Sequence, residues 1–441
     1  MKDPNADKAP ILAVGLVVCL AGGVLAFGGV EPLSWAAVNL VAFLLFAFVL
    51  WNKEARNPRW PWPWRGPLLL LVYVSGQAAL VHSDVYLVRE QILRLGGCLS
   101  IFYIALFVSS SKTSRGVLLA GLLGLGLFEA LYGLVQYVSG WQQIFAYKKV
   151  FYVAQATGTY INPNHFAGLL EMILPLCFAG TLYRLERVGV GAGNPQQTSK
   201  HAASSERVAA LVFFFFCTLL LGAAILFSRS RAGILSASAA VISSGILWVG
   251  VSRQRPRATL AAVSLLAAGC LFGLWIGLGP VLERYETVLA DYPSRLAVWK
   301  GSLGLIRAHP WRGNGLGSFA DAYTRVQSTV LSRVVEHAHN DYLEFAAEWG
   351  IPGAALLMGL IVWLLVRTAL ACFRVAEPAA RAVAVGCSGS ILALLLHSLT
   401  DFNLQIPANA LVLAAVLGLT YSASTGAAPK RAGERTHPGG E

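Results

Sequence analysis

Twelve apolar stretches constrain the fold of this chain more than any other feature of its sequence. A helix rises 1.5 Å per residue, so about 17 to 25 apolar residues cross the hydrocarbon core of a bilayer. The stretches cover residues 11–30, 35–51, 67–82, 98–110, 116–139, 166–183, 208–227, 232–251, 259–278, 351–366, 382–398 and 408–421. The fourth is short, and we expect its helix to begin earlier, within the amphipathic residues 83–97. The sequence therefore predicts an all-α polytopic membrane protein with about twelve transmembrane helices.

The composition excludes the soluble alternatives. Hydrophobic residues make up 56% of the chain and charged residues 13%, about half of the roughly 25% that is typical of soluble proteins. A soluble protein with this composition would expose large apolar patches and aggregate. The net charge of +12 would suggest nucleic-acid binding in a soluble protein. In a membrane protein the same charges mark the two sides of the bilayer, so we predict no nucleic-acid partner.

The distribution of Lys and Arg predicts the orientation and the domain organisation. With the N-terminus in the cytoplasm, the connections on that side carry most of the Lys and Arg, as the positive-inside rule requires. Both termini are then cytoplasmic, and the one long connection lies outside. We divide the chain into nine transmembrane helices over residues 1–278, a large outer loop over 279–350, three transmembrane helices over 351–421 and a disordered cytoplasmic tail over 422–441.

The richest polar segment closes the large loop and leads into the tenth predicted span. It contains His337, His339, Asn340, Asp341 and Glu344. A histidine there can accept a proton near neutral pH, as a general base must. An interfacial helix with two solvated histidines is the alternative. A zinc site is a weaker option, because His-x-His and a carboxylate are present but neither His-Glu-x-x-His nor cysteine ligands are. We predict no metal and no cofactor.

Three arginines lie on the predicted outer side of the membrane, where the positive-inside rule makes arginine uncommon. Arg229 and Arg231 lie in a very short turn between the seventh and eighth spans, and Arg295 lies early in the large loop. The planar guanidinium fork suits a phosphate group. Snorkelling to lipid headgroups is the alternative for the first two, and an ion pair with Asp291 is the alternative for Arg295.

Two further short polar segments lie at the ends of predicted spans on the outer side of the membrane. One holds Asn164 and His165 at the start of the sixth span, and the other holds Asp401 between the eleventh and twelfth. Such residues also serve as helix caps and turns. Six of the eight histidines nevertheless map to this side: His82, His165, His309, His337, His339 and His397. The pattern predicts a site assembled from several loops at the outer surface of the membrane.

These residues resemble the O-antigen ligase and polymerase superfamily. His339-Asn340, nine residues, Gly350, two residues and Gly353 is similar to its His-Asn-x9-Gly-x-x-Gly pattern. The resemblance extends over roughly residues 158–403 and to the layout of the spans. Further segments that resemble recurrent segments of the superfamily are 230–233, 291–299, 309–317 and 401–403.

The resemblance implies a GT-C-like glycosyltransferase of the bacterial inner membrane with its active site on the periplasmic face. Its donor would be a glycan linked to undecaprenyl pyrophosphate, and its acceptor a sugar hydroxyl of lipid A-core, without a metal. On this hypothesis His339, with His337, supplies the base of an inverting displacement, and Arg231, Arg295 and Arg229 bind the pyrophosphate. The supporting residues would be Asn340, Asp341, Glu344, Asn164, His165 and Asp401.

Other functions remain open on the sequence alone. An O-antigen or exopolysaccharide polymerase would use the same donor with a growing glycan as acceptor, and a protein O-oligosaccharyltransferase would use a Ser or Thr hydroxyl. A lipid-linked glycan transporter is a further alternative, but it predicts paired ionisable residues near the middle of the membrane and internal repeats. Here the charges collect at the outer face, which favours the enzyme.

Overall fold

The computed structural model describes residues 8–51, 65–81, 84–190, 198–252, 288–327 and 334–425. These residues are almost entirely helical, apart from a two-stranded antiparallel hairpin of β1 (Gln143–Ile144) and β2 (Tyr147–Lys148). The thirteen α-helices within the described ranges are α1 (Lys8–Leu25), α2 (Pro32–Trp51), α3 (Arg65–Leu80), α4 (Val85–Val108), α5 (Lys112–Ser139), α6 (Pro163–Val190), α7 (Thr198–Ser228), α8 (Arg231–Val251), α9 (Val288–Ala308), α10 (Phe319–Thr324), α11 (Asp341–Cys372), α12 (Pro378–His397) and α13 (Pro407–Thr425).

The structure confirms the predicted all-α polytopic membrane fold. Eight of the described helices are long and apolar enough to cross a membrane, and α1, α3 and α13 contain shorter apolar segments. Helix α4 begins at Val85, where the Asp84 side chain caps it by accepting from the Tyr86 amide at 2.8 Å. The early start expected for the fourth span is therefore confirmed. The predicted ninth span (259–278), the first residues of the large loop and the tail beyond Thr425 lie outside the described residues.

Helices α6 and α12 form the centre of the bundle. Within their most apolar 18 residues, 83% of α6 and 67% of α12 are buried, against 22% for α2. Glycines allow the two central helices to approach closely: a Cβ at Gly386 of α12 would lie 2.7 Å from the Leu176 Cα of α6. Small residues at helix contacts are a common packing device in membranes. The polar loops that cap α6 and α12 consequently meet at one end of the bundle.

Helix α11 is broken at Gly350, whose φ of 73° lies in the left-handed region. The break frees carbonyl oxygens in the preceding turn, and these need new donors. Residues 309–317 supply them from the large loop. The Asn314 amide donates to the Ala347 carbonyl at 2.9 Å, and the Gly315 amide to the Glu348 carbonyl at 3.1 Å. The glycine-rich segment thus holds the turn that carries α11 into the membrane.

We expect Gly350→Ala to lower the thermal stability of the protein by several degrees. An added Cβ would lie 2.5 Å from the Trp311 carbonyl oxygen, and a backbone with φ 73° and ψ 166° is almost confined to glycine and costs other residues about 1–3 kcal/mol. Gly359→Ala in the same helix is the matched control, since its Cβ would meet nothing within 4 Å. Thermal unfolding of both variants in detergent checks this, and equal melting temperatures would contradict the packing argument.

Candidate active site

Polar residues from four parts of the chain meet at one end of the bundle, which we call the site face. It is formed by the residues that begin α6, α8 and α11 and by the loop that follows α12. The start of α11 is fixed to that loop by backbone hydrogen bonds, because the Asp341 amide donates to the Ser398 and Asp401 carbonyls at 3.0 and 3.2 Å. Distant segments of the sequence thereby become neighbours.

Asp401 lies at the centre of the site face with its side chain 1% exposed. Its carboxylate accepts from the Asn164 amide at 2.5 Å and from the Phe402 backbone amide at 2.9 Å. His339 Nδ1 lies 3.6 Å from Oδ1, and His165 Nε2 lies 3.9 Å from the same oxygen. Burial alone would raise the pKa of Asp401, but the neighbouring histidines hold it below its ordinary value. The site therefore contains a buried, ionised carboxylate facing two imidazoles.

His339 has an unusual backbone and an accessible ring. Its φ of 50° lies in the left-handed region, which residues other than glycine rarely occupy and which is enriched at functional sites. The side chain is 38% exposed, while Nδ1 is buried on the side of Asp401. The Nε2 side of the ring is thus the one left for a ligand, and Asp401 faces the opposite nitrogen.

His337 is held by a different carboxylate. Its Nδ1 lies 2.7 Å from Glu344 Oε1, and the other oxygen of Glu344 accepts from the Ala338 amide at 2.7 Å. The ring stacks on Phe402 with centroids 4.0 Å apart, and His165 and His339 contact the same phenyl ring edge-on. Burial alone would lower the pKa of His337, but Glu344 raises it above the ordinary value. The fold therefore favours the imidazolium form of His337.

The pair of His337 and Glu344 predicts that the stability of the protein depends on pH. A raised pKa in the folded state contributes stability that is present below the unfolded pKa of about 6.5 and is lost as the pH rises through the folded value. We expect the melting temperature of the wild type to fall relative to that of His337→Gln as the pH rises above about 6.5. Because His337 is 31% exposed, the difference is small. Parallel melting curves across this range would contradict it.

Asn340 and Asp341 anchor the start of α11 and do not contact either imidazole through the hydrogen bonds that the structure shows. The Asn340 side chain caps the helix by accepting from the Leu343 amide at 3.0 Å, and its amide donates to the Leu399 carbonyl at 2.8 Å. The buried Asp341 carboxylate accepts from the Ser398 hydroxyl at 2.7 Å. Both predicted supporting residues therefore fix the start of α11, and Asp401 is the carboxylate that faces the His339 imidazole.

Arg295 joins α9 to the site face. Its Nη1 donates to the Thr400 carbonyl at 2.7 Å, one residue before Asp401. One turn further along α9, Trp299 Nε1 donates to the Ala338 carbonyl at 3.1 Å. A guanidinium has five N–H donors, so Arg295 keeps further donors for an anion. The side chain of Asp291, its alternative partner, lies outside the described residues.

Arg229 and Arg231 flank the start of α8. Arg229 has a left-handed φ of 56°, and its Nη2 lies 3.4 Å from the Tyr137 hydroxyl of α5. Ser230 caps α8 by accepting from the Gly233 amide at 3.2 Å, and Arg231 is the first helical residue. Gly233 packs against Ala167 near the start of α6, where a Cβ would lie only 2.5 Å from Ala167 Cβ. The first turn of α8 is thereby brought to the N-terminal end of α6, next to Asn164 and His165.

Sequence reasoning missed a buried ionisable cluster just beneath the site face. Glu171 of α6 is fully buried, lies 3.0 Å from His397 Nδ1 and accepts from the Ser236 hydroxyl of α8 at 2.5 Å. The cluster ties α6, α8 and α12 together below Arg231 and Asp401. The sequence feature that could have revealed this cluster is Glu171 itself, a single carboxylate within an apolar span. A charged group costs free energy inside a membrane and therefore usually has a partner there. Phe402 lies within the segment 401–403 that the sequence analysis named, but nothing in that segment indicates that its ring contacts three histidines.

Residues 216–358 match the family model described as O-Antigen ligase. The match begins within α7 and ends just beyond the break in α11. It includes Arg229, Arg231, Arg295, His337 and His339, and it ends before Asp401. A comparison with curated proteins gives no match.

Proposed function

We propose that this chain, a member of the O-antigen ligase superfamily by its segment 216–358, transfers a glycan from undecaprenyl pyrophosphate to a sugar hydroxyl of lipid A-core. Members of the family are glycosyltransferase-like enzymes of membranes, and the described helices fit a multi-pass membrane protein. The observation that carries the proposal is the pair of His339 and Asp401, an accessible imidazole backed by a buried carboxylate. It lies beside a second histidine and an arginine.

His339 is the general base of this reaction. Its Nε2 takes the proton of the acceptor hydroxyl, and the hydroxyl oxygen attacks the anomeric carbon of the donor sugar. The bond from that carbon to the pyrophosphate oxygen breaks, and the pyrophosphate leaves with the electron pair, which gives inversion. Asp401 stabilises the imidazolium that forms at His339 and holds its Nδ1 side. The separation of 3.6 Å is longer than a hydrogen bond, and such bonds often tighten only when the substrate is bound.

The cationic groups stabilise the leaving pyrophosphate. Negative charge develops on it as the glycosidic bond breaks, and fixed positive groups lower the energy of that state. Arg231 and Arg295 supply guanidinium groups with bidentate geometry, with Arg229 beside Arg231. His337, held as an imidazolium by Glu344, adds a positive charge close to His339. The same set of charges replaces the metal that many pyrophosphate-using enzymes need, so we propose metal-independent transfer.

The proposed topology follows from the positive-inside rule. Both termini lie in the cytoplasm, and the site face lies on the periplasmic side of the inner membrane, where the donor glycan is displayed. A GT-C-like arrangement, with a large loop supplying catalytic residues at the membrane surface, is consistent with Arg295, His337 and His339 all coming from residues 279–350.

Reconstitution tests the proposed function directly. The purified protein in liposomes, supplied with an undecaprenyl-pyrophosphate-linked glycan and lipid A-core, is expected to give glycan-bearing lipid A-core, also in excess EDTA. Longer glycans on undecaprenyl pyrophosphate would instead identify a polymerase, and glycan on a protein acceptor an O-oligosaccharyltransferase. Movement of the lipid-linked glycan across the bilayer without transfer would identify a transporter.

We expect Arg231→Ala and Arg295→Ala each to lower kcat by about 10²–10³-fold, the usual cost of losing one group that stabilises developing charge. Arg325→Ala is the control, because Arg325 is exposed at the end of α10. Initial rates with purified donor and lipid A-core measure the effect. Unchanged kinetics in either variant would remove that arginine from the pyrophosphate site.

A further inference from the structure

A mainly apolar cavity lies on the α4 and α13 side of the site face. Its volume is about 160 Å³, and residues of α2, α4, α11 and α13 line it, among them Leu95, Leu357 and Leu411. Apolar cavities of roughly 150 Å³ stay dry and accept an apolar molecule the size of benzene. A cavity of this kind inside a membrane protein therefore suits a segment of a hydrocarbon chain.

Three N–H groups on the cavity wall have no hydrogen-bond partner among the described residues. They are Arg94 Nε, Trp349 Nε1 and the amide nitrogen of Gln405. Trp349 is 3% exposed and Gln405 is 7% exposed. A buried donor without an acceptor costs about 1–3 kcal/mol. Three such donors around one cavity point to a ligand that brings oxygen acceptors with it.

The positive charge of Arg94 is already compensated by Glu90, so a neutral oxygen acceptor suits this site better than an anion. Its Nη2 lies 2.5 Å from Glu90 Oε1, and the guanidinium lies over the Trp35 ring at 5.5 Å. A neutral pair of this kind attracts an anion only weakly, but its spare N–H still needs an oxygen. The carbonyl oxygen of an ester or amide, attached to a long hydrocarbon chain, satisfies both the donors and the apolar wall.

Two residues that line the cavity are close in the chain to residues of the site face. Gln405 follows Asp401 by one turn of chain, and Trp349 belongs to the same helical segment as Asp341. The lining includes no residue of α8, where Arg229 and Arg231 lie. The cavity is therefore separate from the position of these two arginines.

We propose that this cavity binds an acyl chain of the lipid acceptor, with the ester or amide carbonyl at the head of the chain accepting from Arg94, Trp349 and Gln405. The proposal rests on the proposed function for the identity of the acceptor. A polyprenyl chain is a plain hydrocarbon and offers no carbonyl to these donors, so the donor lipid is the less suitable occupant. The acceptor would thus be selected by its acylated anchor as well as by its sugar hydroxyl.

Photolabelling in liposomes tests the site without relying on activity. A lipid A-core with a diazirine near the head of an acyl chain is expected to label residues of the cavity. Leu411→Trp fills the cavity and should reduce that labelling at least tenfold, while Leu44→Trp, on the outer surface of α2 with Leu44 62% exposed, should leave it unchanged. Gln405→Leu removes the N–H groups at similar volume and should reduce labelling several-fold.

Kinetics separate this proposal from the proposed function. Gln405→Leu should raise the KM for lipid A-core several-fold and leave the KM for the polyprenyl-linked donor unchanged, and a deacylated acceptor should not distinguish the variant from the wild type. Labelling of the cavity by a photoreactive polyprenyl pyrophosphate, with none by the acylated probe, would overturn the proposal. A protein that transfers no glycan but shows acyl labelling blocked by Leu411→Trp would overturn the proposed function and leave the acyl site standing.

Discussion

Replacing His339 with Asn is expected to lower kcat for glycan transfer about 10²–10⁴-fold, the range that a positioned general base contributes. Asn is chosen because it tolerates a left-handed backbone, which His339 adopts with a φ of 50°. An alanine at this position would add backbone strain to the loss of the imidazole. The measurement is the initial rate of transfer as a function of pH, together with the melting temperature in detergent.

The pH profile separates a chemical role from a structural one. A general base acts in its unprotonated form, so the wild-type rate should fall on the acid side, and this limb should be missing from the residual activity of His339→Asn. His309→Asn is the control, because His309 lies in the same large loop but at the end of α9, among the residues that support the break in α11. A His339→Asn enzyme with wild-type rates would exclude the general-base role.

The membrane fold was largely predictable because apolar length is a local property of the sequence. Eleven of the twelve predicted spans correspond to described helices, and the remaining one lies outside the described residues. The apolar pattern covers only the second part of α4, and its first part was predicted from the amphipathic residues 83–97, where Glu90 and Arg94 pair with each other within the helix. It also gave no sign of the break at Gly350, which depends on hydrogen bonds from residues 309–317.

The candidate site was predictable in its residue types but not in its pairings. Asp401 and His339 both stood out as polar residues at the ends of apolar spans. Their proximity depends on how α11 docks on the loop after α12, which no local pattern encodes. The resemblance to the superfamily predicts Asn340 and Asp341 as supporting residues of the base. The helix that starts there instead directs them to the cap and to Ser398.

Asp401→Asn is expected to reduce kcat by a factor comparable to that of His339→Asn. The buried carboxylate is ionised and is the group that faces His339 Nδ1, so it stabilises the imidazolium that forms when the base takes a proton. Both carboxylate oxygens accept from N–H groups, of Asn164 and Phe402. An Asn side chain would place its own NH₂ against one of these donors, so some loss of stability accompanies the loss of charge.

A double variant of His339 and Asp401 separates the catalytic effect of losing the Asp401 charge from its effect on stability. If Asp401 acts through His339, the His339→Asn, Asp401→Asn double variant should be about as slow as the slower single variant, because residues that act as a unit are not additive. Asp341→Asn is the matched control: it alters another buried carboxylate of the site face, at the start of α11, bonded to Ser398 and with no hydrogen bond to an imidazole among the described contacts. It should lower stability while leaving the acid limb of the pH profile in place. Multiplicative losses in the double variant would show that Asp401 contributes independently of the base, and would leave His339 without its proposed partner.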